Sequence, residues 1–464
     1  MIGSIVNGVQ LFYLIYFSVM IGVYLFLCVV AVFSMRSYLR HYGVNGSAPS
    51  FTGREPSITL LIPAYNEKEN ILNSIRASLQ LVYPDYEVIV VNDGSTDETL
   101  DILKREFNLQ PCRDPYTEII PTKPVRAIYN SIPHPKLKVI DKVNGGKGDA
   151  MNAAVNLSKG KLTCSVDSDS VLEPFSLLKA VRPFMEDDTT VVSGGQVCVL
   201  NGCEMRDGKL VKVGFPKQWL VRIQVLEYLR AYLVSRMGWS AFNALPLVSG
   251  TFGLIDKKEL MRAGGFHCYT IAEDLDIVFR LHLMLRSEQR KYRIVHFPDP
   301  VCWTEVPKTF DELKRQRLDW HRALAEALMF NIKLLCNPKG GIVSWFMIPF
   351  MIVFEFFGTV VEVLGIFLIA IFALLGVLSI QALVIFTLLA LAANMFLSVV
   401  SLLLEEMSFH SYPDLGSLFR LFAAVIFETP AYRLLTSYFR LLGVWDLILT
   451  YPAKAREIRK NRHL

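Results

Sequence analysis

Two stretches almost without charge constrain this chain more than anything else in it. Residues 1–35 hold no Asp, Glu, Lys or Arg, and residues 343–404 hold only Glu355 and Glu362. An apolar helix needs roughly 20 residues to cross a hydrocarbon core, so both stretches read as membrane-spanning. Residues 11–35 lack the basic start and small-residue cleavage site of a secretory leader and read as a retained anchor. Arg36, Arg40 and His41 follow, which by the positive-inside rule puts the next segment in the cytoplasm and the N-terminus outside. The second block breaks near residues 378–381. Residues 343–377, with Pro349 inside, read as an interfacial piece and a tilted span, and residues 382–404 as a clean span. Beyond them Arg420, Glu428, Arg433, Arg440 and Asp446 interrupt an otherwise apolar pattern, and residues 454–463 are basic. Three crossings are expected, or five if the mixed region dips through the bilayer.

The chain thus divides into an anchor (1–40), a soluble domain (55–310), an interfacial amphipathic helix (310–340), C-terminal apolar helices (341–452) and a basic cytoplasmic tail (453–464). Its 48 basic and 43 acidic residues leave a net charge of +5, too slight and diffuse for a nucleic-acid binder. Eight cysteines with no CxxC pair point to neither a metal site nor a disulfide framework. In the soluble domain, apolar runs at 58–62, 87–91, 137–140 and 162–166 read as strands. Helical patterns at 69–81, 96–107 and 149–157 separate them, an alternation that predicts a parallel or mixed sheet covered by helices. The Pro-rich stretch 108–135 reads as a surface loop without chemistry.

Ligands bind such sheets beyond the carboxyl ends of the strands, and there the polar residues gather. The first strand leads into Pro63-Ala64-Tyr65-Asn66-Glu67, and the second into Asn92-Asp93-Gly94-Ser95-Thr96-Asp97. The third leads into Asn144-Gly145-Gly146-Lys147-Gly148-Asp149-Ala150-Met151-Asn152, and the fourth ends in Asp167-Ser168-Asp169. Any one of these is an ordinary turn or helix cap; four in order are not. Two carboxylates at i and i+2 suit a hard divalent cation, Mg2+ or Mn2+, which bridges to a diphosphate and neutralises it as it leaves. Lys147, flanked by glycines, approaches phosphate closely. Neither a GxxxxGK[ST] loop nor a GxGxxG turn is present, which argues against NTPase and dinucleotide-oxidoreductase chemistry and for a nucleotide-activated donor.

In this order the motifs resemble those of family 2 inverting glycosyltransferases with the α/β, Rossmann-like GT-A fold. Ser249-Gly250-Thr251 resembles the acceptor-side loop of the processive members, Glu273-Asp274 their catalytic pair, and Gln316-x-x-x-Trp320 their Gln-x-x-Arg-Trp motif. The layout of anchor, domain and spans is similar to that of cellulose, hyaluronan, chitin-oligosaccharide and poly-N-acetylglucosamine synthases. The resemblance implies that Tyr65, Glu67 and Asp93 hold the uridine of a UDP-sugar, with Lys147 near the same nucleotide. Asp167 and Asp169 face the diphosphate, Asp169 being the stronger metal ligand. Asp274 is the general base, supported by Glu273, while Ser249 serves the acceptor side. Gln316 contacts the diphosphate and Trp320 stacks on the acceptor sugar.

The chain departs from the pattern where Asp319 replaces the family's Arg, Ala272 a Thr, and Ser249 the Cys of cellulose synthases. Two basic amphipathic stretches, 218–237 and 310–335, fit a membrane–water interface. Glu355 and Glu362 share a helix face and are expected to pair with arginines such as Arg420 or Arg433. The expectation is an integral protein of a bacterial inner membrane with a cytoplasmic catalytic domain. It elongates a β-linked polysaccharide or oligosaccharide of glucose or N-acetylglucosamine units and passes it across the bilayer, with room for accessory subunits. Single transfer to a lipid acceptor, or a non-catalytic role in an export complex, are the alternatives. No fused cyclic-dinucleotide domain is expected after the last apolar region.

Overall fold

The computed structural model describes residues 2–43, 51–112, 116–377, 379–409 and 415–461. Residue 378 of the expected break and residues 462–464 of the expected tail lie outside them. The strands are β1 (Ile58–Ala64), β2 (Tyr86–Asn92), β3 (Leu109–Cys112), β4 (Val125–Ser131), β5 (Leu137–Lys142), β6 (Leu162–Val166), β7 (Val171–Leu172), β8 (Thr190–Val199), β9 (Glu204–Arg206), β10 (Lys209–Lys212), β11 (Phe252–Asp256) and β12 (Arg293–Thr304). All but the β9–β10 hairpin join one ten-stranded sheet in the order β3-β4-β5-β2-β1-β6-β11-β8-β12-β7. β5, β2, β1 and β6 run parallel, and β11 is antiparallel to both of its neighbours.

Burial explains why the central strands are continuous apolar runs. Leu60 and Ile62 pack with Ile71 and Ile75 of the helix Ile71–Leu79 on one face. Leu61, Ile89 and Ile140 pack with Ala150, Met151 and Ala154 of the helix Lys147–Leu157 on the other. A strand covered on both faces has no polar alternation to keep. Stretch 108–135 corrects the loop expected there, because β3 and β4 extend the sheet as antiparallel strands. Their half-exposed residues carry little alternation, and Pro111 sits on the edge strand, where its missing N–H breaks no inner ladder.

Among the described residues, three helices are long and apolar enough to cross a membrane, Val6–Tyr42, Val343–Leu374 and Leu383–Ser408. The first belongs to the helix Ile2–Tyr42, whose 41 residues reach about 60 Å, well beyond a hydrocarbon core. Its far end is tied to the soluble domain, Tyr38 to Asp299 and Tyr42 to Glu186. Val343–Leu374 stays helical through Pro349 by opening wide turns at Val343–Met347 and Met351–Phe356. Tyr16 donates to the carbonyl of Val353 (2.7 Å) and Tyr13 to that of Val361 (3.0 Å), fastening the first span to the second.

The acids of the apolar block find two kinds of partner. Glu362 pairs with Arg433, whose Nε lies 3.2 Å away and whose Nη1 donates to Asn394 (3.1 Å). Glu355 accepts from Tyr24 instead of an arginine. Removing one partner of a pair in low dielectric strands the other charge. Arg433→Met is therefore expected to cost about 3 kcal/mol, read as a fall in Tm in detergent. Adding Glu362→Gln should recover more than half of that loss, and equal losses in the single and double variants would refute the pairing.

Candidate active site

The loops beyond β1 and β2 fasten one another. Asn66 takes a left-handed backbone (φ 57°), which lets its Oδ1 accept the N–H groups of Thr96 (2.8 Å) and Asp97 (3.3 Å). Glu67 donates its backbone N–H to Thr99 Oγ1 (3.0 Å). Tyr65 is left 50% exposed at the rim, a free ring face beside the loop. Burial raises the Glu67 carboxyl above its ordinary range, although hydrogen bonds from Ser168 and Asn70 oppose the shift.

Asp93 lies deeper. Its oxygens accept the N–H groups of Gly145 (3.0 Å) and Gly146 (2.8 Å) and the ammonium of Lys142 (2.8 Å). Lys142 has no exposed surface and also pairs with Asp149, which accepts the N–H of Lys123 (3.0 Å). Gly94 needs its positive φ (68°) here, and a Cβ on it would stand 2.8 Å from the nitrogen of Asn144. The loop so held turns at Gly146 (φ 88°) and starts the helix at Lys147. Sequence reasoning gave Lys142 no role and quoted Asp149 only as part of the glycine-rich motif. The strand Leu137–Lys142 also carries Lys138 and Asp141, so nothing local singles Lys142 out.

Lys147 brings the two halves of the site together. Its Nζ lies 2.7 Å from Asp167 Oδ1 and 2.8 Å from Glu273 Oε1. Burial alone would lower its pKa, but the charges of Asp167, Glu273 and Asp274 hold its ammonium well above the usual lysine range. Gly250 closes over the group, and a Cβ there would sit 3.1 Å from Lys147 Nζ, 3.3 Å from Asp274 Oδ2 and 3.5 Å from Glu273 Oε1. Asp274 accepts one N–H on each oxygen, from Gly250 (3.0 Å) and Leu275 (2.7 Å). Thr251, the third residue of the same loop, donates to Asp167 Oδ2 (3.0 Å). Ser249 lines a cavity of about 10 Å³, room for about one water, together with Glu273, Asp274 and apolar walls of Met151, Val248 and Phe266.

Burial and the neighbouring Glu273 push the Asp274 carboxyl up to about 6 against the opposing pull of Lys147. Asp169 is likewise pushed up to about 6, by burial and then by the charge of Asp167, while Ser170 (3.1 Å) lowers it. Asp167 and Asp169 are hard oxygen donors that keep destabilising each other until a cation arrives. No group of three His, Cys, Asp or Glu among the described residues converges on a metal position. Two carboxylates whose remaining ligands come from phosphate and water fit a small divalent ion.

Gln316 and Trp320 lie one turn apart on the helix Phe310–Phe330, which opens with a capping box between Thr309 and Glu312. Trp320 is 44% exposed, and the buried Oε1 of Gln316 has no partner. Arg317, which sequence reasoning did not assign, is fully buried and bidentate to Glu227 (2.9 and 2.7 Å). It also donates to Tyr432 (3.0 Å), and its guanidinium stands 4.3 Å from the centroid of the Trp320 ring. Arg322 is held by Glu326 and Asp446, each at 3.2 Å. Asp319 is exposed, and partial burial raises its carboxyl above the ordinary range.

Comparison with known proteins agrees with this architecture. The profile of Glycosyl transferase family 2 matches residues 59–204, and that of Glycosyl transferase family group 2 matches residues 164–397, half of the chain. A Staphylococcus epidermidis protein named poly-beta-1,6-N-acetyl-D-glucosamine synthase is 26% identical over 273 residues, 59% of this chain and 55% of that protein. A Bacillus subtilis protein named probable glycosyltransferase YdaM is 27% identical over 270 residues, 58% of this chain and 55% of that one. The chain thus spans little more than half the length of these curated relatives. The solved structure of a mannosyltransferase from Pyrobaculum calidifontis, in complex with GDP-Man and Mn2+, superposes with a TM-score of 0.50 at 17% identity. The superposition covers 88% of this chain and 99% of that one, and shows a shared GT-A fold. With its mixed Rossmann-like sheet and its membrane helices, the chain is a membrane protein that belongs to glycosyltransferase family 2.

Proposed function

We propose that this chain transfers a sugar from a UDP-sugar to the end of a growing β-linked polysaccharide, with inversion, and passes the product across the bilayer. The observation that carries this reading is the convergence of Lys147, Asp167, Glu273 and Asp274 around Gly250. One cation faces the leaving diphosphate and one carboxylate faces the acceptor, a single residue apart. Tyr65 and Glu67 hold the nucleoside. Asp93 acts through the Gly145–Gly146 turn that it fixes. Asp167 and Asp169 would hold Mg2+ or Mn2+, which supplies neutralisation of the diphosphate charge.

The acceptor hydroxyl attacks the anomeric carbon, and the bond from that carbon to the diphosphate oxygen breaks. The electron pair leaves with UDP, and the hydroxyl proton passes to Asp274, which returns it to solvent. A single displacement turns an α-linked donor into a β-linked product. Ser249 and Trp320 face the acceptor sugar, and Gln316 meets the diphosphate. Arg36, Arg40 and His41 support a cytoplasmic catalytic domain, and the bacterial relatives support placement in a bacterial cell membrane. The name of the staphylococcal relative favours N-acetylglucosamine as the first donor to try.

The test is UDP release from purified protein over a panel of UDP-sugars with Mn2+, with products sized on a gel. Release should occur with one donor, a long ladder should form, and Asp274→Asn should slow release about 10³-fold. Undiminished release by the variant would remove Asp274 as the base, and one glycolipid band in place of a ladder would replace polymerisation by single transfer. Silence with every donor would withdraw the catalytic reading.

The pH profile follows from the same carboxylate. Asp274 works only when ionised and its pKa is pushed up to about 6, so the rate should hold at pH 7–8 and fall tenfold per unit below about 6. A flat acid limb down to pH 5 would contradict it. At the acceptor end, Arg317→Met should raise the KM for an oligosaccharide acceptor while leaving that for the UDP-sugar unchanged, because its guanidinium supports Trp320. Equal rises in both constants would point to general loss of structure.

A further inference from the structure

Asp274 opens the helix Glu273–Ser287, and the other end of that helix borders an open cleft of about 540 Å³. Arg286, on its last turn, lies about 18 Å along the helix from the base. The cleft is lined by Arg286, Arg290, Lys291, Arg293 and Lys339, with Asp187 as the one acid among the lining residues. Pairing the charges off leaves a surplus. Asp187 takes Arg293 (3.2 Å), and Glu259 (3.1 Å) and Glu288 (3.7 Å) take Arg290. Among the described residues, Arg286 bonds to neutral groups, the Tyr292 hydroxyl (2.7 Å) and the Asn243 carbonyl (3.2 Å). Lys291 and Lys339 are exposed, and neither side chain has a carboxylate within ion-pair distance among the described residues.

Three uncompensated cations around one concavity repel one another, and an anion relieves that repulsion. One of the three is already fixed for the purpose. The Tyr292 and Asn243 bonds hold the Arg286 guanidinium, and Gly341 (φ 53°) lies so close that a Cβ there would be 2.8 Å from Nη1. A planar, immobilised guanidinium flanked by two mobile ammoniums matches the oxygens of a phosphate group.

The place of the cleft says where such a phosphate is met. Lys339 belongs to the turn Pro338–Gly340, and the apolar helix Val343–Leu374 begins directly after it. Trp345 and Phe346, in the first turn of that helix, are 58% and 39% exposed. Exposed aromatics at the head of a span mark the level of the lipid headgroups. Basic clusters at that level bind anionic headgroups.

We infer that this cleft is a phosphate-binding site at the membrane surface, filled by the headgroup of an anionic phospholipid and held by Arg286, Lys291 and Lys339. A soluble phosphate shares the chemistry and is separated by the test. The site is independent of the transfer reaction, so its readout is stability.

The full chain is placed in nanodiscs of phosphatidylcholine with and without phosphatidylglycerol at one ionic strength, and separately titrated with inorganic phosphate in detergent. Phosphatidylglycerol should raise Tm by a few degrees. Lys291→Gln with Lys339→Gln should abolish most of that rise, whereas Lys291→Arg with Lys339→Arg should keep it. A phosphate response in detergent that is lost in the same Gln pair, without a lipid response, sustains the site and makes its ligand a soluble anion. Equal responses of wild type and the Gln pair, no response to either probe, or the same loss in a Lys209→Gln, Lys212→Gln control on the β9–β10 hairpin would overturn it.

Discussion

Lys142 carries its charge at a point with no access to water, and the catalytic half of the molecule is arranged around that fact. A buried ammonium is tolerable only with carboxylates in contact, and loss of either partner strands the rest at a cost of about 3–5 kcal/mol. Asp93, just past β2, and Asp149, in the first turn of the helix Lys147–Leu157, meet that need. Their remaining oxygens then take the N–H groups of Gly145, Gly146 and Lys123. One ammonium thereby joins two strand ends, a glycine turn and a helix start. Lys147 is the first residue of that helix, so its position is inherited from a cation with no exposed surface.

From Lys147 outward the electrostatics have the opposite character. Its single positive charge faces Asp167, Glu273 and Asp274, with Asp169 and Glu67 also contributing to the field around Asp167. Burial is the main reason that Asp169 and Asp274 are pushed up to about 6, and the negative surplus adds to it. A diphosphate without a counter-ion would be repelled from such a group. A donor that arrives with a divalent cation brings the charge that the carboxylates lack, which supports the metal-dependent reading in the terms of this chain's own residues.

Legibility in the sequence followed local physics. The central strands are readable because burial on both faces leaves unbroken apolar runs, as in residues 58–62 and 162–166. The strand-end loops are readable because turns, helix starts and phosphate contacts all draw on Gly, Asn and Asp. β3 and β4 were hidden because a short edge strand with a proline and its half-exposed neighbour have the composition of a loop. Lys142 and Arg317 were hidden for another reason. Glu227 stands 90 residues from Arg317 and Asp93 49 residues from Lys142, while Asp149 lies nearer, across a glycine turn, and no local pattern records that they meet. Glu362 found the arginine that apolar surroundings demand, whereas Glu355 accepts a hydrogen bond from the Tyr24 hydroxyl, a partner that no charge pattern announces.

Arg317 also bears on the meaning of Asp319. Where relatives carry an arginine one residue before the acceptor tryptophan, this chain carries an acid, and the nearby arginines differ in their freedom to substitute. Arg317 is committed to Glu227 and Tyr432, and Arg322 to Glu326 and Asp446. Arg315 is exposed and lies one turn before Asp319, without a carboxylate within ion-pair distance among the described residues. The helix Phe310–Phe330 thus has its two arginines nearest Trp320 committed to protein carboxylates. Its contribution is mechanical: through Arg317 it joins the helix Trp219–Leu229 and Tyr432 of the C-terminal region to the ring of Trp320. In the proposed reaction, neutralising the leaving group therefore falls to Lys147 and to a cation that Asp167 and Asp169 would hold.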